Sequence, residues 1–282
     1  IIDEGLAQLL RVNERDPSKN WIVPTGHPQA RDLQLVGGGR VLVGHDAGYA
    51  EFEIATGKVV KDITGYKGVT SARRLPHGHT LLTGTKLAGE QTVVVLELDA
   101  ADAVKNKTAF PGTYVRLMRE TAQGTWLFMS DTTIREGDRA GNVLHEWTVP
   151  GFKNCWKAVR LANGHTLASA GYGAFFVELD AQGKELRRFA EKASMPAAVN
   201  ANFYATFQLL PNGHLVVANW QGHGPGHGAK GVQLFELDEK AAIVWQWGDP
   251  KITSSLQGVL VLDGLDTSKL HDERNGVMAP LR

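Results

Sequence analysis

The stretch RLPHGHTLL at residues 74–82 recurs almost unchanged as RLANGHTLA at residues 160–168. Weaker copies of the same motif are LVGGGRVLVG at 35–44, TAQGTWLFMS at 121–130 and LPNGHLVVAN at 210–219. The anchors of the five copies, which lie 40, 46, 40 and 49 residues apart, are Leu35, Leu75, Thr121, Leu161 and Leu210. A repeat of about 40 to 50 residues made of short strands and turns is typical of β-propeller blades, each of which is a four-stranded sheet.

The segments left over by the repeat can complete one more blade. Five units fit within residues 26–248, residues 6–12 and 20–24 are predicted strands without an inner partner, and residues 256–262 are a predicted inner strand. Pairing these segments would close the ring with both ends of the chain and remove exposed sheet edges. The sequence therefore predicts an all-β, six-bladed propeller of four-stranded blades, with seven blades as the alternative. The tail at 263–282 has little β-pattern and has no predicted place.

The composition agrees with a chain of many short strands. The 282 residues include 32 glycines and are 43% hydrophobic, and 30 basic and 30 acidic side chains give a formal net charge of zero. Because no basic run of five or more residues occurs, neither nucleic acid nor an anionic membrane is expected as a partner. No apolar run approaches the roughly 20 residues that span a bilayer, so no membrane-spanning segment is expected. A closed ring makes residues 1–282 one domain, which we expect to be a monomer.

The loops of such a propeller differ between its two faces. In each copy the turns between the first and second strands and between the third and fourth are short and alike, so they should share one face, here called the plain face. The longer loops then surround the mouth of the central channel on the opposite, loop face, where binding residues concentrate. His45 and Trp220 follow equivalent repeat positions, Gly44 and Asn219, and are both expected on the loop face.

The candidate ligand-binding residues follow from this placement. They combine aromatic rings with imidazole and carboxylate groups, and they are His27, His45, Asp46, Tyr66, Trp156, Tyr172, Tyr204, Trp220, His223 and His227. The loop face adds further aromatic, amide and carboxylate side chains at Tyr49, Asp131, Asn154, Asn202, Asn219 and Gln257. Rings that stack on a ligand beside groups that bind its hydroxyls suit a small polar molecule such as a carbohydrate. Alternatively, several of these aromatic residues fill the channel or pack between blades.

The glycine-rich segment NWQGHGPGHG at residues 219–228 carries two histidines, His223 and His227. Glycine and proline prevent the helix on which the paired histidines of metalloproteases bind zinc. Both imidazoles could still reach one divalent metal together with His45 or His27 and with Asp46 from the first unit. The alternatives are a solvated loop and a histidine that binds the ligand or transfers protons.

Other histidines follow the repeat itself. Those that come directly after the glycine of the plain-face turn are His79, His165 and His214. Their repetition predicts a structural role, with each imidazole bonded to a neighbouring turn. The histidines that follow no pattern are His77, His145 and His271.

Cys155 is the single cysteine, which excludes a disulfide within the chain and a cysteine-based zinc site. Because it lies beside Trp156 near the start of a predicted inner strand, we expect an inert buried thiol. The chain lacks the Gly-x-Ser-x-Gly elbow, the phosphate-binding loop and the His-Glu-x-x-His motif. Whether the protein is an enzyme is therefore left open.

Three functions are compatible with these residues. The first is recognition of a small polar ligand, such as a carbohydrate, at the channel mouth. The second is a lyase or hydrolase with a histidine-based, metal-assisted site on the loop face. The third is a protein-interaction scaffold, since propellers offer broad rigid faces. The aromatic residues of the loops favour the first.

Some of the repeat phrases resemble those of known propellers. LPNGH at 210–214 and LDAQGK at 179–184, with Trp147 and Trp245 in predicted outer strands, resemble phrases of bacterial quinoprotein-like and arylsulfotransferase-like propeller proteins. ATGK at 55–58 is similar to part of the tryptophan-docking motif of quinoprotein dehydrogenases. The resemblance implies a propeller fold and a secreted or periplasmic location. Those dehydrogenases use eight blades and, typically, adjacent cysteines, whereas this chain has about six predicted blades and one cysteine, so no bound quinone is expected.

Overall fold

The computed structural model describes residues 1–281, which form a six-bladed β-propeller. Each blade contains a four-stranded antiparallel sheet, as the repeat predicts, and the seven-bladed alternative is wrong. Short 3₁₀ helices lie at Pro17–Lys19, Leu87–Gly89 and Ala197–Val199. None of the helices in the described residues is both long and apolar enough to cross a membrane.

The strands of the first half of the chain form the outer part of the closing blade and then blades 1 to 3. The closing blade begins with β1 (Ile2–Asp3), β2 (Gln8–Arg11) and β3 (Trp21–Pro24). Blade 1 consists of β4 (Asp32–Gly37), β5 (Arg40–His45), β6 (Gly48–Glu53) and β7 (Val59–Ile63). Blade 2 consists of β8 (Val69–Arg74), β9 (Thr80–Gly84), β10 (Val93–Leu98) and β11 (Val104–Phe110). Blade 3 consists of β12 (Met118–Glu120), β13 (Trp126–Ser130), β14 (Thr133–Gly137) and β15 (Val143–Thr148).

The second half forms blades 4 and 5, the inner strand of the closing blade, and a terminal hairpin. Blade 4 consists of β16 (Ala158–Arg160), β17 (Thr166–Ser169), β18 (Phe176–Leu179) and β19 (Glu185–Phe189). Blade 5 consists of β20 (Phe203–Leu209), β21 (Leu215–Trp220), β22 (Leu234–Leu237) and β23 (Ile243–Trp247). The chain then forms β24 (Leu256–Gly258), β25 (His271–Asn275) and β26 (Val277–Pro280).

The repeated phrase forms the turn between the first two strands of a blade. In blade 2 the Leu75 N–H donates to the His79 carbonyl at 2.8 Å, and the Gly78 N–H donates to the Leu75 carbonyl at 3.0 Å. Gly78 has a φ of +89°, a left-handed conformation that favours glycine. The same two bonds and the same glycine recur in blades 4 and 5. The residues that make the repeat recognisable are therefore those that fix the hairpin.

The histidines that follow these turns pair with glutamates on the third strand of their own blade. The pairs, each joined through Nδ1 at 2.6 to 2.8 Å, are His79–Glu97, His165–Glu178 and His214–Glu236. Their role is structural, as the repetition predicts. The partner, however, is a carboxylate of the third strand and not a neighbouring turn.

The sixth, closing blade joins the two ends of the chain. β24 is its inner strand, and β1, β2 and β3 follow outward. Ile2 pairs with Gly258 on one side and with Leu9 on the other. The sequence predicts this closure but not β1, whose two residues are too few to show a pattern. The inner strand is also shorter than the predicted segment 256–262.

The C-terminal tail enters the central channel. β25 and β26 form a hairpin that is bridged to β20 between Leu209 and Val277, and β25 packs against the inner strands β4, β12 and β16. Leu209 directly precedes a plain-face turn. The tail, which has no predicted place in the sequence analysis, therefore fills the channel from the plain-face end.

The tail brings two acids to a group of buried cations. Asp272 and Glu273 are each 2% exposed. Asp272 pairs with Arg73. Glu273 lies 2.7 Å from Nε of Arg119 and 2.6 Å from Nζ of Lys157. Because charges buried without partners are costly, the tail and the inner part of the ring depend on each other.

Replacing Glu273 with glutamine should strongly destabilise the propeller. Glu273→Gln leaves Arg119 and Lys157 buried with one negative charge fewer, and breaking a buried pair in this way costs about 3 to 5 kcal/mol. Urea unfolding followed by circular dichroism measures the change in the free energy of unfolding. The control is Asp263→Asn, which removes a charge from an exposed residue of the same tail and should change stability by less than about 0.5 kcal/mol. Equal stability of the two variants would contradict this role of Glu273.

The same carboxylate should make stability depend on pH. Burial opposes the ionisation of Glu273, but Lys157, Arg119 and Arg73 outweigh burial and lower its pKa from 4.5 to about 2. Ionised Glu273 therefore stabilises the fold fully above pH 4.5, and this contribution, about 3 kcal/mol, is lost as the pH falls towards 2. Urea titrations at successive pH values should show the stability difference between the parent protein and Glu273→Gln shrinking over that range. A difference that stays constant would count against the ion network.

Candidate functional site

A cavity of about 190 Å³ opens on the loop face. We call it the funnel, and its lining residues are Arg31, Tyr114, Arg116, Asn154, Trp156, Tyr172, Phe203, Trp220, His223 and Gln257. Arg31 directly precedes β4 and Phe203 begins β20, so the funnel lies where the inner strands start. It is therefore at the end of the channel opposite the tail.

Aromatic rings form one wall of the funnel. The ring centroid of Phe203 lies 5.4 Å from that of Trp156, 5.4 Å from that of Trp220 and 4.7 Å from that of Tyr172, in edge-to-face geometry. Trp156, Phe203 and Trp220 are buried, whereas Tyr172 is 41% exposed at the rim. Edge-to-face packing stabilises such rings in fixed orientations. The wall is therefore a rigid apolar surface.

Two arginines line the funnel without a carboxylate partner in the described part of the chain. The guanidinium of Arg116 lies 4.1 Å from the ring centroid of Tyr114 and 5.3 Å from that of Trp156. Nη2 of Arg31 donates to Oε1 of Gln29 at 2.5 Å. Burial, followed by the like charge of Arg116, lowers the pKa of Arg31 to about 10, and burial also lowers the pKa of Arg116. Two positive charges thus face the funnel in surroundings that disfavour them.

Buried polar atoms without hydrogen-bond partners gather around the same cavity. Among residues 1–281 they include Nε of Arg31 and Arg116, Nε1 of Trp156, the hydroxyl of Tyr114 and Oε1 of Gln257. Burial raises the pKa of Tyr114 to about 12, so its hydroxyl keeps its proton at neutral pH. Four of these five atoms are then donors. Because buried polar groups normally have partners, the funnel is suited to a molecule rich in acceptors.

His223 pairs with Glu4 at the rim of the funnel. Nδ1 of His223 lies 2.9 Å from Oε1 of Glu4, and Nε1 of Trp220 donates to Oε2 of the same carboxylate at 3.3 Å. The side chain of His223 is 74% exposed, whereas that of Glu4 is 13% exposed. An imidazole held by a carboxylate beside a cavity can transfer protons.

The glycine-rich segment 219–228 is anchored to the closing blade. Oγ of Ser254 donates to the carbonyl of Gly224 at 2.8 Å. Nδ1 of His227 lies 3.0 Å from the carbonyl oxygen of Gln221, within the same segment. His227 therefore turns back on its own loop and is not among the residues that line the funnel.

The structure brings part of the predicted site together. The predicted residues that line the funnel are Trp156, Tyr172, Trp220, His223, Asn154 and Gln257. His45 and Trp220 both end the second strand of their blades, so they share the loop face as the register predicts. His27 and His45 nevertheless lie together on blade 1 beside Asp62, and Asp46 follows them there, partly buried.

Two predicted tyrosines lie outside the funnel. Tyr204 is fully buried, with its ring centroid 5.2 Å from that of Phe176 and its hydroxyl donating to the Ala190 carbonyl at 2.9 Å. Side chains alternate along a strand, so Phe203 faces the funnel and the next residue, Tyr204, faces the core between blades. Tyr204 is thus not available to a ligand, contrary to the prediction. Tyr66 packs against the core between blades 1 and 2.

The predicted metal-binding set of His223, His227 and His45 does not come together in the described residues. The first two have the partners given above, and His45 stacks on His27 with ring centroids 4.0 Å apart. Groups of potential ligand atoms within 4.8 Å of one another lie instead at His27, His45 and Asp62 and at His77, His79 and Glu97.

Cys155 is fully buried in the core between blades 3 and 4. Burial raises the pKa of its thiol. An inert packing role, as predicted from the sequence, agrees with this environment.

The sequence did not predict Arg31, Tyr114 and Arg116, nor Phe203 and Glu4. The first three lie in loops that lead into inner strands, which the repeat already places at the channel mouth, so their position could have identified them. Glu4 follows β1, the short strand that carries no repeat pattern. Its pairing with His223 spans 219 residues and has no local signal.

Comparison with known proteins finds solved structures that are similar to this chain. No protein-family model and no curated protein matches the chain. A protein of unknown function from Bacteroides caccae is 24% identical with a TM-score of 0.71, and the match covers 88% of this chain and 92% of that one. Virginiamycin B lyase from Staphylococcus aureus, solved as a catalytically inactive variant with quinupristin, is 13% identical with a TM-score of 0.59, covering 88% and 79%. A streptogramin B lyase is 12% identical with a TM-score of 0.57, covering 88% and 84%.

These likenesses concern the fold. They show that the chain is a β-propeller, in agreement with the repeat. The finer resemblance to quinoprotein-like and arylsulfotransferase-like proteins, and the location that it implies, stay predictions.

Proposed function

We propose that the chain binds a small, negatively charged molecule with a flat apolar part in the funnel. The observation that carries the proposal is the surplus of unpartnered donors around one cavity, two of which belong to the arginines Arg31 and Arg116. A carboxylate, sulfate or phosphate group accepts several hydrogen bonds at once and pairs with guanidinium in a two-pronged geometry. Such a group would satisfy both the charge and the donors.

These two partly buried arginines differ from the fully buried arginines of the channel. Arg73 and Arg119, near the tail, each have a carboxylate partner from the chain itself. Arg31 and Arg116 have none among the described residues, although burial lowers the pKa of both. A hydrogen bond to a charged group contributes about 1.5 to 3 kcal/mol, so an entering anion has a strong interaction to gain.

The aromatic wall supplies the second property of the ligand. Trp156, Phe203 and Trp220 offer rigid ring surface on which a planar or apolar face can pack. A cavity of about 190 Å³ has room for roughly six waters or for one molecule the size of a monosaccharide. The predicted carbohydrate fits best as a sugar acid, because a neutral sugar would leave both guanidinium groups without a carboxylate in direct contact. The recessed position of these groups favours a small molecule over a protein partner.

Small acids should therefore bind better than their neutral counterparts. We expect glucuronate, 4-hydroxybenzoate or phenyl phosphate to raise the melting temperature, whereas glucose, 4-hydroxybenzyl alcohol and phenol should not. A ligand at 100 times its dissociation constant adds about 2.7 kcal/mol of stability, which a thermal shift assay detects. Calorimetry on the acid that binds should give an affinity that falls with salt, because Coulomb attraction is screened. Equal shifts from acids and neutral counterparts, or no shift from any acid, would contradict the proposal.

The variant Arg116→Gln tests whether this arginine contributes to binding of the acid. It should weaken binding of that acid by roughly 2 kcal/mol, about 30-fold. The control is Arg187→Gln on the outer strand of blade 4, where the arginine is exposed. The control should bind as the parent does, and a loss of the same size in both variants would remove the special role of the funnel.

A lyase or hydrolase is the second candidate, because the Glu4–His223 pair stands at the same cavity. In such an enzyme Glu4 would orient the imidazole, and Nε2 of His223 would exchange a proton with the bound molecule. Two of the similar structures are named as lyases, but at 12 and 13% identity the likeness carries the fold and not the chemistry.

Replacement of His223 separates binding from catalysis. His223→Gln should change the affinity for the acids that bind by less than about 1 kcal/mol, because the imidazole lies at the rim with 74% of its side chain exposed. Calorimetry measures this affinity, and NMR of the acid incubated with the parent protein detects any turnover. Turnover that the parent shows and His223→Gln lacks would favour the enzyme, and a large loss of affinity would make His223 part of the binding wall.

A further inference from the structure

A second cluster of polar side chains lies on blade 1, outside the funnel. It consists of His27 in the loop before β4, His45 at the end of β5 and Asp62 in β7. β5 and β7 both pair with β6, which fixes His45 and Asp62 relative to each other. The hydroxyl of Thr25 donates to the His27 carbonyl at 2.7 Å and holds the loop.

The three side chains converge on one point. Nε2 of His27 lies 3.0 and 2.9 Å from the two carboxylate oxygens of Asp62, and Nε2 of His45 lies 3.6 Å from Oδ1. The two imidazole planes are inclined by 17°. Ligand atoms bound to a tetrahedral zinc ion at about 2.0 to 2.2 Å lie about 3.3 Å from one another. The observed distances therefore bracket the spacing of a metal site.

An ordinary ion pair does not account for His45. Its side chain is fully buried, at 0% exposure, and apart from a weak interaction with the backbone of Tyr49 neither ring nitrogen has a hydrogen-bond partner in the part of the chain that is described. Leaving a buried polar group unpartnered costs about 1 to 3 kcal/mol. His27 and Asp62 form hydrogen bonds with each other, but neither of them forms a hydrogen bond with His45. A cation at Nε2 of His45 would provide the missing partner.

The other group of potential ligands, at His77, His79 and Glu97, has a simpler explanation. The bond between His79 and Glu97 is the pair that recurs in blades 4 and 5, so the repeat itself accounts for it. His77 is 53% exposed. His45 belongs to no such series, since the corresponding strand end in blade 5 carries Trp220.

We propose that His27, His45 and Asp62 bind one divalent transition-metal ion, with Zn²⁺ as the first choice. Two imidazoles and one carboxylate suit Zn²⁺ and its neighbours, whereas Ca²⁺ and Mg²⁺ prefer oxygen ligands. The side chain of Asp62 is 43% exposed, which leaves a water access to the fourth position. The ion ties the chain that enters blade 1 to the outer strand of that blade, next to the closing blade. Its role is to stabilise the ring, and it does not depend on the funnel.

The experiment uses protein prepared without a histidine tag. Calorimetric titration with Zn²⁺ should give one equivalent bound and a higher melting temperature, and Co²⁺ should give visible absorption bands of a nitrogen and oxygen site. Asp62→Asn and His27→Ala should each weaken Zn²⁺ binding at least tenfold and remove the thermal shift, because each removes one ligand. The control is His223→Ala, which removes an exposed histidine that also neighbours a carboxylate and should bind Zn²⁺ like the parent.

Two results would overturn the proposal. The first is a parent protein that takes up no stoichiometric Zn²⁺ or Co²⁺. The second is binding that Asp62→Asn and His27→Ala retain, or that only His223→Ala loses, which would place the ion on the glycine-rich segment. Because His45 is buried and its replacement can unfold blade 1, the decision rests on the two more exposed ligands. Binding of small acids in the funnel is measured separately and is unaffected by either result.

Discussion

The ion network between the C-terminal tail and the inner strands is the interaction on which the rest of the structure depends. The ring directs Arg73, Arg119 and Lys157 into its own centre, where they have lost water and repel one another. Asp272 and Glu273 from the tail, together with Asp32 of β4, neutralise them. A buried ion network is weak evidence for stability in itself, but removing one side of it is costly. Closing the ring and filling the channel are therefore coupled, and the network decides which end of the channel is closed.

Comparison of the two ends of the channel shows what the open end lacks. Both ends of the channel carry arginines that lie on or just before inner strands, buried at one end and partly buried at the other. At the plain-face end the chain provides a carboxylate for Arg73 and Arg119, whereas on the loop face it provides none within the described residues for Arg31 and Arg116. The same inner strands position both sets of arginines. The two ends therefore differ in whether the chain supplies a carboxylate partner, and not in the backbone that holds the arginines. The missing partner is then expected from outside the chain, which is the physical basis for an anionic ligand.

The fold was predictable because its signals are local. The bonds across Leu75, Gly78 and His79 fix a hairpin within five residues. The five sequence copies of this repeat, with the strands at the two ends of the chain, give the number of blades. The place of the tail was not predictable, because Arg73 and Asp272 are 199 residues apart and no short pattern connects them. The same limit hides the bond between Glu4 and His223 at the funnel.

The candidate site was predictable where it follows the repeat and not elsewhere. Trp156 lies just before β16 and Trp220 ends β21, positions that the register brings to the channel mouth. Tyr204 was placed at the ligand in the prediction but lies in the core, because side chains alternate from one face of a strand to the other. A shift of one residue along the strand therefore replaces a contact with the ligand by a contact with the core. Arg31 and Arg116 were missed because loop arginines are usually solvated, and only the folded chain reveals that no carboxylate reaches them.

The divergence between His45 and Trp220 shows how one repeated frame supports two different sites. Both residues end the second strand of a blade, so the sheet alone would give them equivalent surroundings. The loops that cover them make the difference. In blade 1 the connection from the closing blade brings His27 over His45, which becomes buried and lacks a well-formed hydrogen bond within the described residues. In blade 5 the long glycine-rich segment follows Trp220 and carries His223 to the carboxylate of Glu4. The side chains of the strands form the packed core, so the loops determine the chemistry of each blade. Two sites with no shared side chain can therefore arise from one position of the repeat.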